Sequence, residues 1–181
     1  MRARQAGFTL TEALVVVGII AIIAAIGGVQ LTNTLGKSDL QGTVSEVRTF
    51  LEAAKSTMVR QNTSVTVRYL VVGGKPALQL VDVGGAAVRT LTLPAYVRAA
   101  VNPGATQPSA WPTPTPGPLF TCDTQGRTLG PGGQQVAAVQ TIALTHRGML
   151  GDATFADITP RMRFDVQVYP LWTVDVARRM Y

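Results

Sequence analysis

Three groups of residues in this chain have types and spacing that could do chemistry. At the N-terminus, Gly7-Phe8 follows Arg2 and Arg4 and precedes Glu12 and an uncharged, mostly apolar run from Ala13 to Val29. A secretory signal is cut after its apolar stretch and loses it. A cut after Gly7 would instead leave the apolar stretch on the mature chain. Glu12 sits at the edge of that stretch, where an ionised carboxylate is costly and needs a partner. The second group is Arg161, Arg163, Arg178 and Arg179, interleaved with Tyr169, Trp172 and Tyr181. If the last strands lie side by side, this set forms a cationic, aromatic-edged surface suited to phosphates and exposed bases. The plainer expectation is solvent-facing strand residues with Asp165 and Asp175 as counter-charges.

The third group is thin. His146 is the only histidine and Cys122 the only cysteine, which excludes a histidine cluster, a zinc ribbon and an intramolecular disulfide. A half-buried free thiol in a strand is expected at Cys122, with an intermolecular bridge as the alternative. No Gly-x-Ser-x-Gly elbow is present, and Gly130 to Gly133 lacks the Lys-Ser/Thr of a phosphate loop. Asp152, Asp157 and Asp165 do not have the spacing of a calcium loop. The expectation is therefore a chain that is not an enzyme and carries no metal and no cofactor.

The elements that position these residues follow from hydropathy. Of 181 residues, 46% are apolar and 14% charged. Residues 8–30 provide about the twenty apolar positions that a membrane helix needs. Arg2 and Arg4 would hold the N-terminus in the cytoplasm, with the rest of the chain on the opposite side. Beyond it, Leu40, Val44, Val47, Leu51, Ala54 and Met58 recur at spacings of three and four and make one apolar stripe over residues 31–62. Gly27, Gly28, Gly36 and Gly42 mark expected bends. From residue 63 the pattern turns to short β runs separated by Gly-Gly and Asp/Gly turns: 64–72, 77–83, 86–93, 96–101, 119–122, 136–145 and a terminal pair, 163–169 and 172–177. The Pro-rich stretch 102–118 reads as a surface loop that is neither strand nor helix. The formal charge is +6, and loss of Arg2 and Arg4 would leave 14 basic against 10 acidic residues, or +4.

The N-terminal arrangement of Gly7-Phe8, Glu12 and the apolar run resembles the class III signal of type IV pilins and pseudopilins. That resemblance implies a leader of residues 1–7, cleaved between Gly7 and Phe8 by a prepilin peptidase that also methylates the amine of Phe8. It implies that Glu12 sets subunit register in a filament by meeting the N-terminal amine of a neighbour. Segment 51–69, with Ala53-Ala-Lys-Ser56, Arg60-Gln-Asn62 and Ser64-Val-Thr-Val67, resembles the helix-to-first-strand passage of GspH/FimT-type minor pseudopilins. Phe120-Thr-Cys-Asp123 with Gly126-Arg127 resembles a later strand and turn of the same group. The fold implied is α+β and pilin-like, a long N-terminal helix packed on an antiparallel β domain, 63–181. The function implied is a structural subunit that initiates or caps a type IV pilus or a type II secretion pseudopilus. It would be anchored in the bacterial inner membrane with its domain in the periplasm, among other pilin subunits. The alternative is a DNA-binding minor pilin for natural transformation, using the four arginines.

Overall fold

The computed structural model describes residues 10–102, 115–146 and 162–180. The expected leader 1–7 and Phe8, most of the Pro-rich loop, Arg161, Asp152, Asp157 and Tyr181 lie outside them. The chain forms two units, Met1–Leu35 and Gly36–Tyr181. A helix, α1 (Leu10–Gln61), has residues in each unit, and its span includes Gly27, Gly28, Gly36 and Gly42.

In the first unit the described surface of α1 beyond Glu12 is apolar and bare. Leu10 is 82% exposed, and Leu14, Val15, Val16, Val17, Ile19, Ile20, Ile22 and Ile23 are exposed as well. Covering each such side chain is worth about 1.5–3 kcal/mol, so this surface favours a lipid or protein environment. Among the described residues no helix is long and apolar enough to cross a membrane. The described side chains of this stretch end at residue 24, whereas the apolar run continues in the sequence to Val29.

In the second unit α1 buries the expected stripe, Leu40, Val44, Val47, Leu51, Ala54 and Met58, together with Phe50 and Thr43. Thr43 is accommodated because its hydroxyl donates to the Asp39 carbonyl at 3.0 Å. The helix ends at Asn62, whose φ of 50° is a left-handed cap, with Arg60 in the last turn, where a cation favours the helix dipole.

Among the described residues nine strands follow: β1 (Val65–Val72), β2 (Lys75–Val81), β3 (Ala87–Thr92), β4 (Val97–Val101), β5 (Gly117–Cys122), β6 (Thr128–Leu129), β7 (Gln140–His146), β8 (Met162–Val168) and β9 (Val174–Met180). They make two antiparallel sheets, β3-β2-β1-β5-β6 and β4-β7-β8-β9. The first three strands form the expected meander, but β4 leaves it for the second sheet. The expectation that the Pro-rich stretch holds no strand is corrected at its end. Gly117 and Pro118 pair with Tyr69 and Arg68 beside a register shift in β1. Proline is tolerated there because β5 meets β6 only at Thr121 and Cys122, so a missing N–H at Pro118 breaks no ladder bond on that side.

One core joins α1 to the alternating faces of both sheets, including Val65, Val67, Leu78, Leu80, Phe120, Ile142, Leu144, Phe164 and Val166. Cys122 lies fully inside it, more deeply than the half-buried thiol expected. Burial, with the charge of Asp123 added and Lys55 opposing, pushes its pKa up to about 12. The thiol therefore stays protonated and unreactive in the folded domain.

The β5–β6 turn is built by Asp123. Its Oδ1 accepts the N–H groups of Gln125 at 3.0 Å and Arg127 at 2.8 Å, and its Oδ2 pairs with Arg127 Nε at 2.7 Å. Gly126 takes the left-handed φ of 74° that the turn requires. Burial works to raise the carboxyl pKa, but the Arg127 N–H, its guanidinium and the Gln125 N–H outweigh it and hold the group below its ordinary value. A depressed folded pKa contributes stability above the unfolded value of about 4, lost as pH falls through the folded value. Asp123→Ala should cost about 2 kcal/mol at pH 7. Asp123→Asn, which keeps the acceptor oxygen, should cost less and flatten the loss of stability below about pH 4. Chemical denaturation at pH 7 and pH 3 checks both; an unchanged acid limb in Asp123→Asn would remove this turn from the acid response.

Candidate functional site

The N-terminal elements of the expected site lie mostly outside the described residues. Glu12 is described: it occupies the first turn of α1 with an exposed side chain. A carboxylate suits this position, since the helix N-terminus carries partial positive charge. It stands at the start of a helix surface otherwise made of Leu, Val, Ile, Ala and Gly, so it is the ionisable group at the edge of an apolar rod.

The C-terminal arginines do not share one surface. Strand β8 reads Met-Arg-Phe-Asp-Val-Gln-Val, and alternation sends Phe164 and Val166 into the core and Arg163 and Asp165 to the opposite face. Both Arg163 and Asp165 are 1% exposed. Arg163 Nε pairs with Asp165 Oδ1, and its Nη2 donates to Oδ2 at 3.0 Å, a bidentate ion pair. Arg179, opposite Arg163 in the β8–β9 register, adds a third bond to the same carboxylate, Nε to Oδ2 at 2.7 Å. Arg178, the register partner of Phe164, is exposed. Of the four arginines, then, Arg163 and Arg179 converge on Asp165, Arg178 lies exposed at the register position opposite Phe164, and Arg161 is outside the described residues.

This ion-paired face is recessed. The register row through it is Ala100, Ala143, Asp165 and Ala177, and small neighbours make room for two guanidiniums over one carboxylate. A cavity of about 380 Å³ opens beside them, bounded by Asn102, Gln140 and Thr141 as well as Arg163, Asp165 and Arg179. Asn102 holds a left-handed φ of 47°. It is fixed there by Thr141 N–H to its Oδ1 at 2.7 Å, its Nδ2 to Gln140 Oε1 at 2.7 Å, and its own N–H to the Thr141 carbonyl at 2.8 Å. Sequence reading missed Asn102, Gln140 and Thr141, and it expected Asp165 to be a surface counter-charge, whereas Asp165 is buried. The available signal was the Arg-x-Asp spacing in a strand whose other face is continuously apolar.

The turn between β8 and β9 is the other organised feature. Trp172, 1% exposed, sits at a left-handed φ of 50°, a strained state for a bulky residue. Its indole N–H donates to the Leu51 carbonyl of α1 at 3.1 Å, and its ring meets Phe120 edge-on at 5.6 Å. Thr128 of β6 adds two bonds to the same turn, to the carbonyls of Tyr169 and Pro170, each at 2.8 Å. Among the described residues no group of three or more His, Cys, Asp or Glu side chains is placed to hold a metal ion.

The prokaryotic N-terminal methylation motif matches residues 2–28. No curated protein sequence matches the chain. Two solved structures are similar. The type IV minor pilin FimU of Pseudomonas aeruginosa has a TM-score of 0.50 at 14% identity, covering 78% of this chain and 90% of that one. The minor pseudopilin EpsH of the Type 2 Secretion System of Vibrio cholerae has a TM-score of 0.49 at 9% identity, covering 77% of this chain and 96% of that one. The chain thus carries a prokaryotic N-terminal methylation motif and shares the fold of FimU, a long N-terminal helix with antiparallel sheets.

Proposed function

We propose that this chain is a minor pilin or pseudopilin of the GspH/FimT kind, a structural subunit and not an enzyme. It helps initiate or cap a type IV pilus or a type II secretion pseudopilus. The observation that carries this reading is the methylation motif over residues 2–28, with Glu12 in the first turn of a helix whose apolar side chains are bare on every described face. In the membrane that surface is covered by lipid, with Arg2 and Arg4 on the cytoplasmic side and the β domain in the periplasm. In a filament it is covered by the equivalent helices of other subunits. Prepilin peptidase cuts between Gly7 and Phe8 and methylates Phe8. Glu12 then pairs with the amine of a neighbouring subunit, two charges that cost far less together than apart in an apolar bundle.

Intact mass of the chain purified from membranes tests this. The expected species begins at Phe8 and carries one methyl group. Gly7→Val should leave the whole leader in place and abolish entry into filaments. A native chain that retains Met1 would overturn the reading. The alternative, DNA binding through the C-terminal arginines, draws less support: Arg163 is buried, and Arg179 shares Asp165 with it. The exposed Arg178 is the best placed of the described three.

A further inference from the structure

The chain carries a formal charge of +6, yet the surface around the β8–β9 turn is balanced in charge. An apolar groove of about 640 Å³ is lined there by Tyr169, Pro170, Leu171, Thr173, Val174 and Asp175. A second recess, of about 300 Å³, is lined by Arg48, Glu52 and Lys55 of α1 with Trp172, Thr173 and Val174. The two meet at Thr173 and Val174, so the turn has an acid on one flank and a charged helix stripe on the other. Arg48 and Glu52 neutralise each other, Nε to Oε1 at 2.8 Å. Asp175 accepts the N–H of its neighbour Val176 at 2.7 Å. Among the described residues neither Asp175 nor Lys55 is in an ion pair.

We propose that this face binds a second copy of the chain across a two-fold axis near Thr173 and Val174, with Asp175 of each protomer on Lys55 of the other. Three observations favour a second copy over an unlike partner. A two-fold contact needs a patch that complements itself, and an acid and a base on either side of the Thr173–Val174 ridge do so. Arg48, Glu52, Lys55 and Asp175 sum to zero charge, so two copies meet without the repulsion of a net-charged face. Knob and hole also lie side by side: Leu171 is 69% exposed on the rim of a groove with ample volume for a side chain. The face is fixed before contact, because Trp172 ties the turn to Leu51 and Thr128 bonds Tyr169 and Pro170. A patch held in place loses little freedom on association. Pairing needs neither cleavage at Gly7 nor entry into a filament, so it stands apart from the assembly reading.

Sedimentation of the full chain in non-ionic detergent, over a wide range of concentration, tests the pairing. Detergent covers the bare apolar part of α1, which is the same in every variant, so a change in pairing reports on this face. The native chain should pass from monomer to dimer and stop there, as closed two-fold symmetry requires. Lys55→Glu sets two carboxylates against each other at both equivalent contacts, and Asp175→Lys does the same with two ammonium groups. Each should raise the dimer dissociation constant by about a hundredfold, tenfold per contact. Leu171→Asp should weaken pairing by a similar factor. Lys55→Glu and Asp175→Lys together restore opposite charges and should return the constant to within about threefold of native. Val83→Asp, at an exposed apolar residue between β2 and β3, should pair as the native chain does. The four substituted positions are exposed, and an unchanged Tm shows that each variant is folded. A native chain that stays monomeric, single variants that pair as tightly as the native chain, or a charge-swapped chain that stays monomeric would overturn the proposal.

Discussion

Trp172→Ala should lower the stability of the domain by about 3–5 kcal/mol, with a fall in Tm of about 10 °C or more. The indole is fully enclosed, and it does three things at once. It fills core volume shared by α1 and both sheets, stacks edge-on against Phe120 of β5, and donates its N–H to Leu51. In a regular helix the Leu51 carbonyl already accepts from the residue four positions on; the indole uses its second lone pair. Removing the ring leaves a cavity where helix, first sheet and β8–β9 turn meet. The left-handed backbone remains strained in the alanine variant, because alanine carries a Cβ. Trp172→Phe separates the terms: it keeps most of the ring and loses the hydrogen bond, and should cost about 1–2 kcal/mol beyond its small volume loss. Thermal and denaturant unfolding of the three chains measures this. A loss under 1 kcal/mol for the alanine variant would mean that the turn relaxes over the gap and is not the point where the two sheets are joined.

Periodicity made the helix legible. Every member of the expected stripe from Leu40 to Met58 is buried, because spacings of three and four return to one side of a helix whatever packs there. Phe50 was missed because it lies one residue before Leu51 and widens the stripe; its ring is also partly covered by Arg89 at 5.9 Å. Strands β1, β2, β3, β5 and the β8–β9 hairpin were legible from alternation bounded by Gly-Gly and Asp-Thr-Gln-Gly turns. The assignment of β4 to the second sheet was not, because pairing partners separated by some forty residues, such as Ala99 and Leu144, leave no local mark. Trp172 reads as a strand residue in the sequence, whereas its position in the turn depends on a left-handed φ that only tertiary packing can hold. The burial of Arg163 was missed for a related reason. Charge promotes a surface expectation, and burial of Arg163 becomes tolerable only once the carboxylate of Asp165, two residues away on the same face, is brought beside it.

That dependence sets the second large effect. Asp165→Ala should destabilise the domain by about 3–5 kcal/mol, the cost of taking the carboxylate partner from a buried charge. The removed group accepts from Arg163 twice and from Arg179 once, so one substitution takes away three charge-assisted bonds. Asp165→Asn, close in shape, should recover part of the loss through its remaining acceptor oxygen but not the ionic part. The informative variant is the double replacement Arg163→Met with Asp165→Leu. A buried ion pair is favourable mainly relative to its own broken halves, and a well-packed apolar pair of similar volume often matches it. The double variant should therefore lie within about 1–2 kcal/mol of the native chain while Asp165→Ala alone does not. If the double variant is as unstable as the single one, the face of β8 turned from the core is structurally polar and the ion pair is part of the fold. If it is as stable as the native chain, the buried charges are not required by the fold, and apolar packing alone can hold β8 in the second sheet.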